Sequence, residues 1–185
     1  MAPSIVRGLA LPAQLTSLID RDLWRHPGDA VLTEVIPWFE DSLAFVKKSE
    51  QMTFASQSLD MFADDPHSAF FSVGRGSRAA APLELPWLDA DQAVLIAIAR
   101  NPGDDGALAL DYRTDPSNPR IVGSDFWTNP RLCQWRVVAP TISSFVTSLG
   151  LWIRPSFNLR AQMNGVVHGP DRPALAARFG PASHH

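Results

Sequence analysis

Between Gln92 and Val138 the chain repeats one arrangement: a short apolar run, a turn, and another run. "QAVLIAIAR" (Gln92–Arg100) is continuous and β-rich, as expected of a strand covered on both faces. "ALALDYR" alternates, with Leu108, Leu110 and Tyr112 on one side and Ala107, Ala109, Asp111 and Arg113 on the other. "RIVGSDF" and "CQWRVV" supply two further strands. The connections "NPGDDG" and "TDPSNP" consist of turn formers. Such short links join antiparallel neighbours, whereas a parallel crossover needs on the order of a dozen residues. The spacing therefore predicts an antiparallel meander and not a series of βαβ units.

Helical periodicity flanks this region. Leu15, Leu18, Ile19 and Leu23 recur at helix spacing after Pro12, and "HPGD" ends that segment. Val31, Leu32, Val35, Ile36 and Phe39 mark a second stripe, broken or bent at Pro37. A third helix is expected from Asp41 through "SLAFVKKSEQM", and a short fourth through "SQSLDMF". "AFFSVGRGS" (Ala69–Ser77) reads as a strand entering a glycine loop, and "AAAPLELPWLDA" as a proline-punctuated connection. In "APTISSFVTSLGL", Thr141 is a good N-cap, Ile142, Phe145, Val146 and Leu149 share a face, and Gly150 is the stop. The pattern predicts an α+β fold: N-terminal helices and a C-terminal helix packed on a mixed, mostly antiparallel sheet. One domain over residues 1–160 is expected, helical over about 1–65, with the sheet and final helix over about 69–151. Residues 161–185 read as a flexible tail.

A chain of 185 residues with 45% hydrophobic and 19% charged residues is suited to one globular core. The single cysteine, Cys133, excludes an intrachain disulfide framework and any multi-cysteine zinc site. No run approaches the ~18 apolar residues of a membrane span. The first residues lack a charged segment followed by a long apolar one, so a cytoplasmic location is expected. Charge is uneven: residues 1–150 carry 12 Lys and Arg against 18 Asp and Glu, while residues 151–185 carry four Arg and one Asp. An acidic body argues against direct nucleic-acid binding and suits a basic protein partner, although simple solubility charge is the plainer reading.

The residues able to carry chemistry all have ordinary structural roles open to them. Asp104, Asp105, Asp111 and Asp115 lie close together, but the first two sit in a turn, and Asp111 lies near Arg113. Turn and salt-bridge roles outweigh catalysis, because paired carboxylates do acid–base work only when their environments split their pKa values. His26, His67, His168, His184 and His185 are scattered without metal-ligand spacing, and "DDPH" (Asp64–His67) reads as a turn. "GRGS" (Gly74–Ser77) lacks the context of a nucleophile elbow or a phosphate-binding loop. No catalytic residue, metal ligand or cofactor is therefore expected. Of the six tryptophans, most are expected in the core, with Trp87 and Trp127, beside acidic turns, exposed.

The ordered set "LPWLDADQAVLIAIARNPGDDGALALDYR…NPRIVGSDFW…WRVVAPTISSFVTSLGL" resembles the SUKH superfamily, which groups a fungal cell-wall synthesis regulator with many bacterial immunity proteins. The resemblance covers roughly Leu85–Leu151; "VIPWFEDSLAFVKKSEQM" is similar to the N-terminal part of some members, while "FFSVGRGSRAAAPLELPW" is a loose match. It implies helices on one side of the sheet and a non-enzymatic protein that binds and neutralises a polymorphic toxin, such as a basic nuclease. Trp87, Asp89, Asp91, Asp104, Asp105 and Trp127 are the expected partner contacts. A regulatory adaptor in cell-wall synthesis or signalling, and a hydrolase using Asp104, Asp105 and Asp111, are the alternatives.

Overall fold

The computed structural model describes residues 4–39, 41–63, 76–77, 84–101, 106–125 and 134–152. Residues Met1–Arg154 make one compact unit. The tail expected over residues 161–185 lies outside the described residues, as does the part of the expected Ala69–Ser77 strand before Gly76.

The chain opens with a hairpin, β1 (Ile5–Val6) and β2 (Leu9–Ala10). Its two central residues, Arg7 and Gly8, both have positive φ, as the tight hairpin turn of this hand requires. Two helices follow, α1 (Ala13–Asp20) and α2 (Asp29–Val35). Pro12 stands at the N-cap of α1, whose Leu15 and Leu18 are buried. The second helix stops at Ile36, ahead of Pro37, whose ring cannot continue an α-helix. The third helix expected from Asp41 is corrected: Leu43–Phe45 form strand β3, and α3 begins only at Ser49 and runs to Ser56. Leu43 and Phe45 are buried and Ala44 between them is half-buried, a period of two that a three-residue strand shows too briefly to read. The short helix α4 (Ser58–Ala63) follows.

The meander is borne out. Strands β6 (Ala93–Ala99), β7 (Ala107–Asp111), β8 (Arg120–Ser124) and β9 (Arg136–Ala139) pair in sequence order, antiparallel throughout. The β3 strand adds to the β6 edge, giving the order β3-β6-β7-β8-β9. The parallel element is a two-residue pairing of β4 (Gly76–Ser77) with β5 (Leu88–Asp89), which leads through a 3₁₀ turn, Ala90–Gln92, into β6. The helix α5 (Ile142–Ser148) closes the unit. Thr141 Oγ1 accepts from the Ser144 amide and Ser144 Oγ accepts from the Thr141 amide, a reciprocal cap.

Burial on both faces explains the unbroken apolar run of β6. Val94 and Ile96 join Leu108, Leu110, Tyr112 and Ile121 in the main core, with Leu15, Leu18, Trp24 and Phe145 from the helical side. Ala93 and Leu95 join Ala109 and Val122 on the opposite face, under Leu59 of α4, Leu88 and Trp135. Helices thus cover more than the one side that the resemblance implied. Alternation lets β6 serve both faces, and a bulge interrupts it where the register shifts between Leu95 and Ala97. The Leu95 amide there donates to the buried Ser56 hydroxyl at 2.9 Å, and Ile96 O accepts from the Val46 amide at 2.9 Å.

Polar tips of buried aromatics tie separate elements together. Trp24 Nε1 donates to Val46 O at 3.0 Å, and its ring lies 4.6 Å from that of Phe45. Tyr112 Oη donates to Ala10 O at 2.9 Å, holding the N-terminal hairpin on the sheet. Burial of that phenol pushes its pKa well above the ordinary tyrosine value.

Candidate functional site

The two ends of β6 carry different constellations. Seven residues at about 3.3 Å each separate them by roughly 20 Å. At the start of the strand, the Asp89 side chain accepts from the Asp91 amide at 2.9 Å and so shapes the 3₁₀ turn. Asp91 projects outward, its side chain 57% exposed, and its carboxylate lies 3.9 Å from Arg7 Nη2. The same guanidinium nitrogen lies 2.7 Å from Asp60 Oδ1, while Arg7 Nη1 donates to Ser56 O. Trp87 is half-buried, which corrects the expectation that it is exposed; Leu88 beside it is fully buried and draws the segment against the sheet. Trp152, at the end of α5, is the exposed tryptophan among the described residues.

Three of the expected contact residues, Trp87, Asp89 and Asp91, therefore gather at one end of β6, together with Arg7 and Asp60. Those two are far away in sequence and carried no signal of their own. Asp104, Asp105 and Trp127 lie outside the described residues, as does Cys133.

At the other end, the Arg100 amide donates to Ser42 O at 2.8 Å and fixes β3 beside the strand exit. Here a depression of about 50 Å³ opens between α2 and β3. Its floor is Leu32, Ile36, Phe39 and Leu43, all buried; its rim is Asp29, Thr33, Asp41 and Ser42. Ser42 Oγ donates to Asp29 Oδ1 at 3.3 Å, and Thr33 Oγ1 donates to Asp29 O at 3.0 Å. The Asp29 side chain is 67% exposed, and its Oδ1 lies 3.4 Å from His26 Nε2. Arg100 Nη2 donates to Leu43 O at 3.2 Å, close by. Asp29 and Asp41 carried no joint signal in the sequence, because only the packing of α2 beside β3 brings them to one depression.

His26 is held neutral by its surroundings. Its Nδ1 accepts from the Gly28 amide at 3.1 Å, a bond that a protonated Nδ1 cannot accept. Burial lowers its pKa, the nearby Arg100 charge lowers it further, and Asp29 opposes both.

Asp111, the strand carboxylate, is fully buried and saturated with donors. Arg113 donates through Nε to Oδ1 and through Nη2 to Oδ2, each at 2.8 Å, and Arg120 Nε donates to Oδ2 at 2.9 Å. Burial alone raises a carboxyl pKa, but the hydrogen bonds and charge of Arg113, with Arg120, outweigh it and hold the group below its ordinary value. Both oxygens are committed to these ion pairs, and the one to Arg120 ties β7 to β8 where the two residues face each other in register. Among the described residues, no three His, Cys, Asp or Glu side chains gather as metal ligands would, and no helix is long and apolar enough to cross a membrane.

No family model, curated protein or solved structure matches the chain.

Proposed function

We propose that this is a non-enzymatic binding protein of the immunity type, which neutralises a basic protein toxin in the cytoplasm by presenting acidic surface to it. The observation that carries this reading is how the described carboxylates are divided. Asp111, the acid best placed in the sheet, is locked between two arginines, whereas Asp91 and Asp29 project outward at the two ends of one buried strand. Exposed acids attract a cationic partner over a Debye length and raise its rate of encounter. The separation of roughly 20 Å between the strand ends falls within the span of a standard interface of about 800 Å² per partner.

The test takes the toxin-like product of a neighbouring reading frame as the candidate partner. Co-expression is expected to protect cells from it, and purified components are expected to associate faster at low salt. Asp91→Lys is expected to slow association and flatten its salt dependence without loss of folding, because rim charges act mainly on the association rate. A candidate toxin that kills despite co-expression, or that fails to bind, defeats the immunity reading. Unchanged kinetics in that variant defeat the acidic-surface mechanism.

A further inference from the structure

We infer that the depression between α2 and β3 is a receptor for a single arginine side chain of a protein partner. The inference deepens the function proposed above and rests on it only in taking the partner to be a protein.

Size decides the class of occupant. At about 50 Å³ the space is a third of the ~150 Å³ apolar cavity that holds one benzene, and far below the roughly 300–1,000 Å³ of small-molecule sites. It admits the end of one side chain. The lining then decides which one. Two carboxylates, Asp29 and Asp41, and two hydroxyls, Thr33 and Ser42, rim a floor of buried Leu32, Ile36, Phe39 and Leu43. A neutral apolar knob would bring nothing to the rim acceptors. A carboxylate would meet two like charges. A cation fits the rim, where two carboxylates and two hydroxyls offer acceptors.

Arginine fits better than lysine. An ammonium is a compact, strongly hydrated charge, and an apolar floor strips that hydration without replacing it. A guanidinium is flat and weakly hydrated, and its fork of donors can meet the rim acceptors while its face rests on carbon. Arginine is also enriched among the side chains that anchor protein interfaces. Burial and the Arg100 charge lower the pKa of His26 behind Asp29, so it adds no competing charge near neutral pH.

The experiment titrates the full chain with N-acetyl-arginine amide and follows backbone amides by two-dimensional NMR. Saturable shifts are expected at Thr33, Ser42 and Leu43 and not at the Asp89–Asp91 turn. The neutral isostere N-acetyl-citrulline amide is expected to bind at least about tenfold more weakly, since each charge-assisted hydrogen bond is worth about a factor of ten or more. Asp29→Asn with Asp41→Asn should weaken the arginine probe comparably. Thr33→Lys, an exposed change that places an ammonium over the rim and leaves the floor intact, should abolish its binding. Shifts absent from the depression, equal binding of the citrulline probe, or equal binding of N-acetyl-lysine amide would overturn the inference. No toxin enters this experiment, so its failure leaves the immunity reading to the association test above.

Discussion

The hydroxyl of Ser56 accepts the backbone amide of Leu95 at 2.9 Å, and both residues are buried. Leu95 is where the β6–β7 register slips, so its amide sits beside an irregular ladder, and a side chain from α3 takes the hydrogen bond. Removing the hydroxyl strands that amide without creating room for much else. Ser56→Ala is expected to cost about 1–3 kcal/mol, the desolvation penalty of a buried unsatisfied donor. Urea unfolding measures it, and a variant as stable as the parent would show that the bulge finds another partner.

The tip of the Trp38 ring comes close enough to β8 to depend on the absence of one carbon. A Cβ at Gly123 would stand 2.9 Å from the Trp38 ring and 2.9 Å from a Leu108 methyl. The ring is also covered from outside by Arg136, whose guanidinium carbon lies 4.8 Å from its centroid. Neither neighbour is a loose surface chain that can swing aside, so Gly123→Ala should cost about 1–3 kcal/mol as overpacking. Trp38 fluorescence should shift with it. An unchanged unfolding midpoint would place the ring elsewhere.

Leu110 tests the sheet face that the sequence predicted. It is fully buried in the main core between Leu108 and Tyr112, as the alternation in "ALALDYR" requires. Leu110→Ala should cost about 2–5 kcal/mol, combining lost transfer energy with a cavity. A loss under ~1 kcal/mol by calorimetry would contradict this packing.

The difference between what was legible and what was not follows range along the chain. The strands β6 to β9 and the capped helix α5 are specified by neighbours within a few residues: alternation, turn chemistry, the Thr141 cap and Gly150, whose φ of +64 is the left-handed stop expected of it. By contrast, β3 is three residues long, and its pairing of Leu43 with Ala99 joins residues far apart in sequence. "SLAFV" satisfies a helical period as well as a strand period over so short a run, and only the open edge of β6 decides between them. The candidate surface divides in the same way. Trp87, Asp89 and Asp91 are adjacent in sequence and stay together, whereas Arg7 meets Asp60, and Asp29 meets Ser42, through tertiary packing alone.

Protonation of His26 should destabilise the fold. Its folded pKa lies below the ordinary 6.5, because burial and Arg100 disfavour the charged ring. The unfolded chain therefore binds the proton more readily. Stability is fully present above pH 6.5 and falls as pH drops from there toward the folded pKa. The first bond lost is the one from the Gly28 amide to Nδ1, at the entry to α2. His26→Gln should flatten the dependence of the unfolding midpoint on pH across this window, relative to the parent. Parallel curves for the two proteins would remove His26 as the cause.

Asp111 governs the acid limb below that window. Its folded pKa is depressed beneath the ordinary 3.8, since Arg113 and Arg120 outweigh the opposing effect of burial. For a depressed carboxyl, the stabilisation is present above the unfolded pKa and is lost as pH falls through the folded one. The parent should accordingly lose stability steeply below about pH 4, and Asp111→Asn should lack that component of the slope. At neutral pH the variant should already be weaker. The side chains of Arg113 and Asp111 are 7% and 0% exposed, so neutralising the carboxylate leaves a guanidinium almost out of water with an amide in place of its counter-ion. Removing one partner of a buried pair typically costs about 3–5 kcal/mol. Arg120, at 21% exposure, can turn partly to solvent, and Arg120→Lys should cost less than Asp111→Asn. Chemical unfolding at pH 7 and pH 3 separates these effects. An Asp111→Asn protein matching the parent at pH 7 would mean that the two arginines are solvated well enough without the carboxylate, and that the β7–β8 register is held by the ladder and its apolar faces alone.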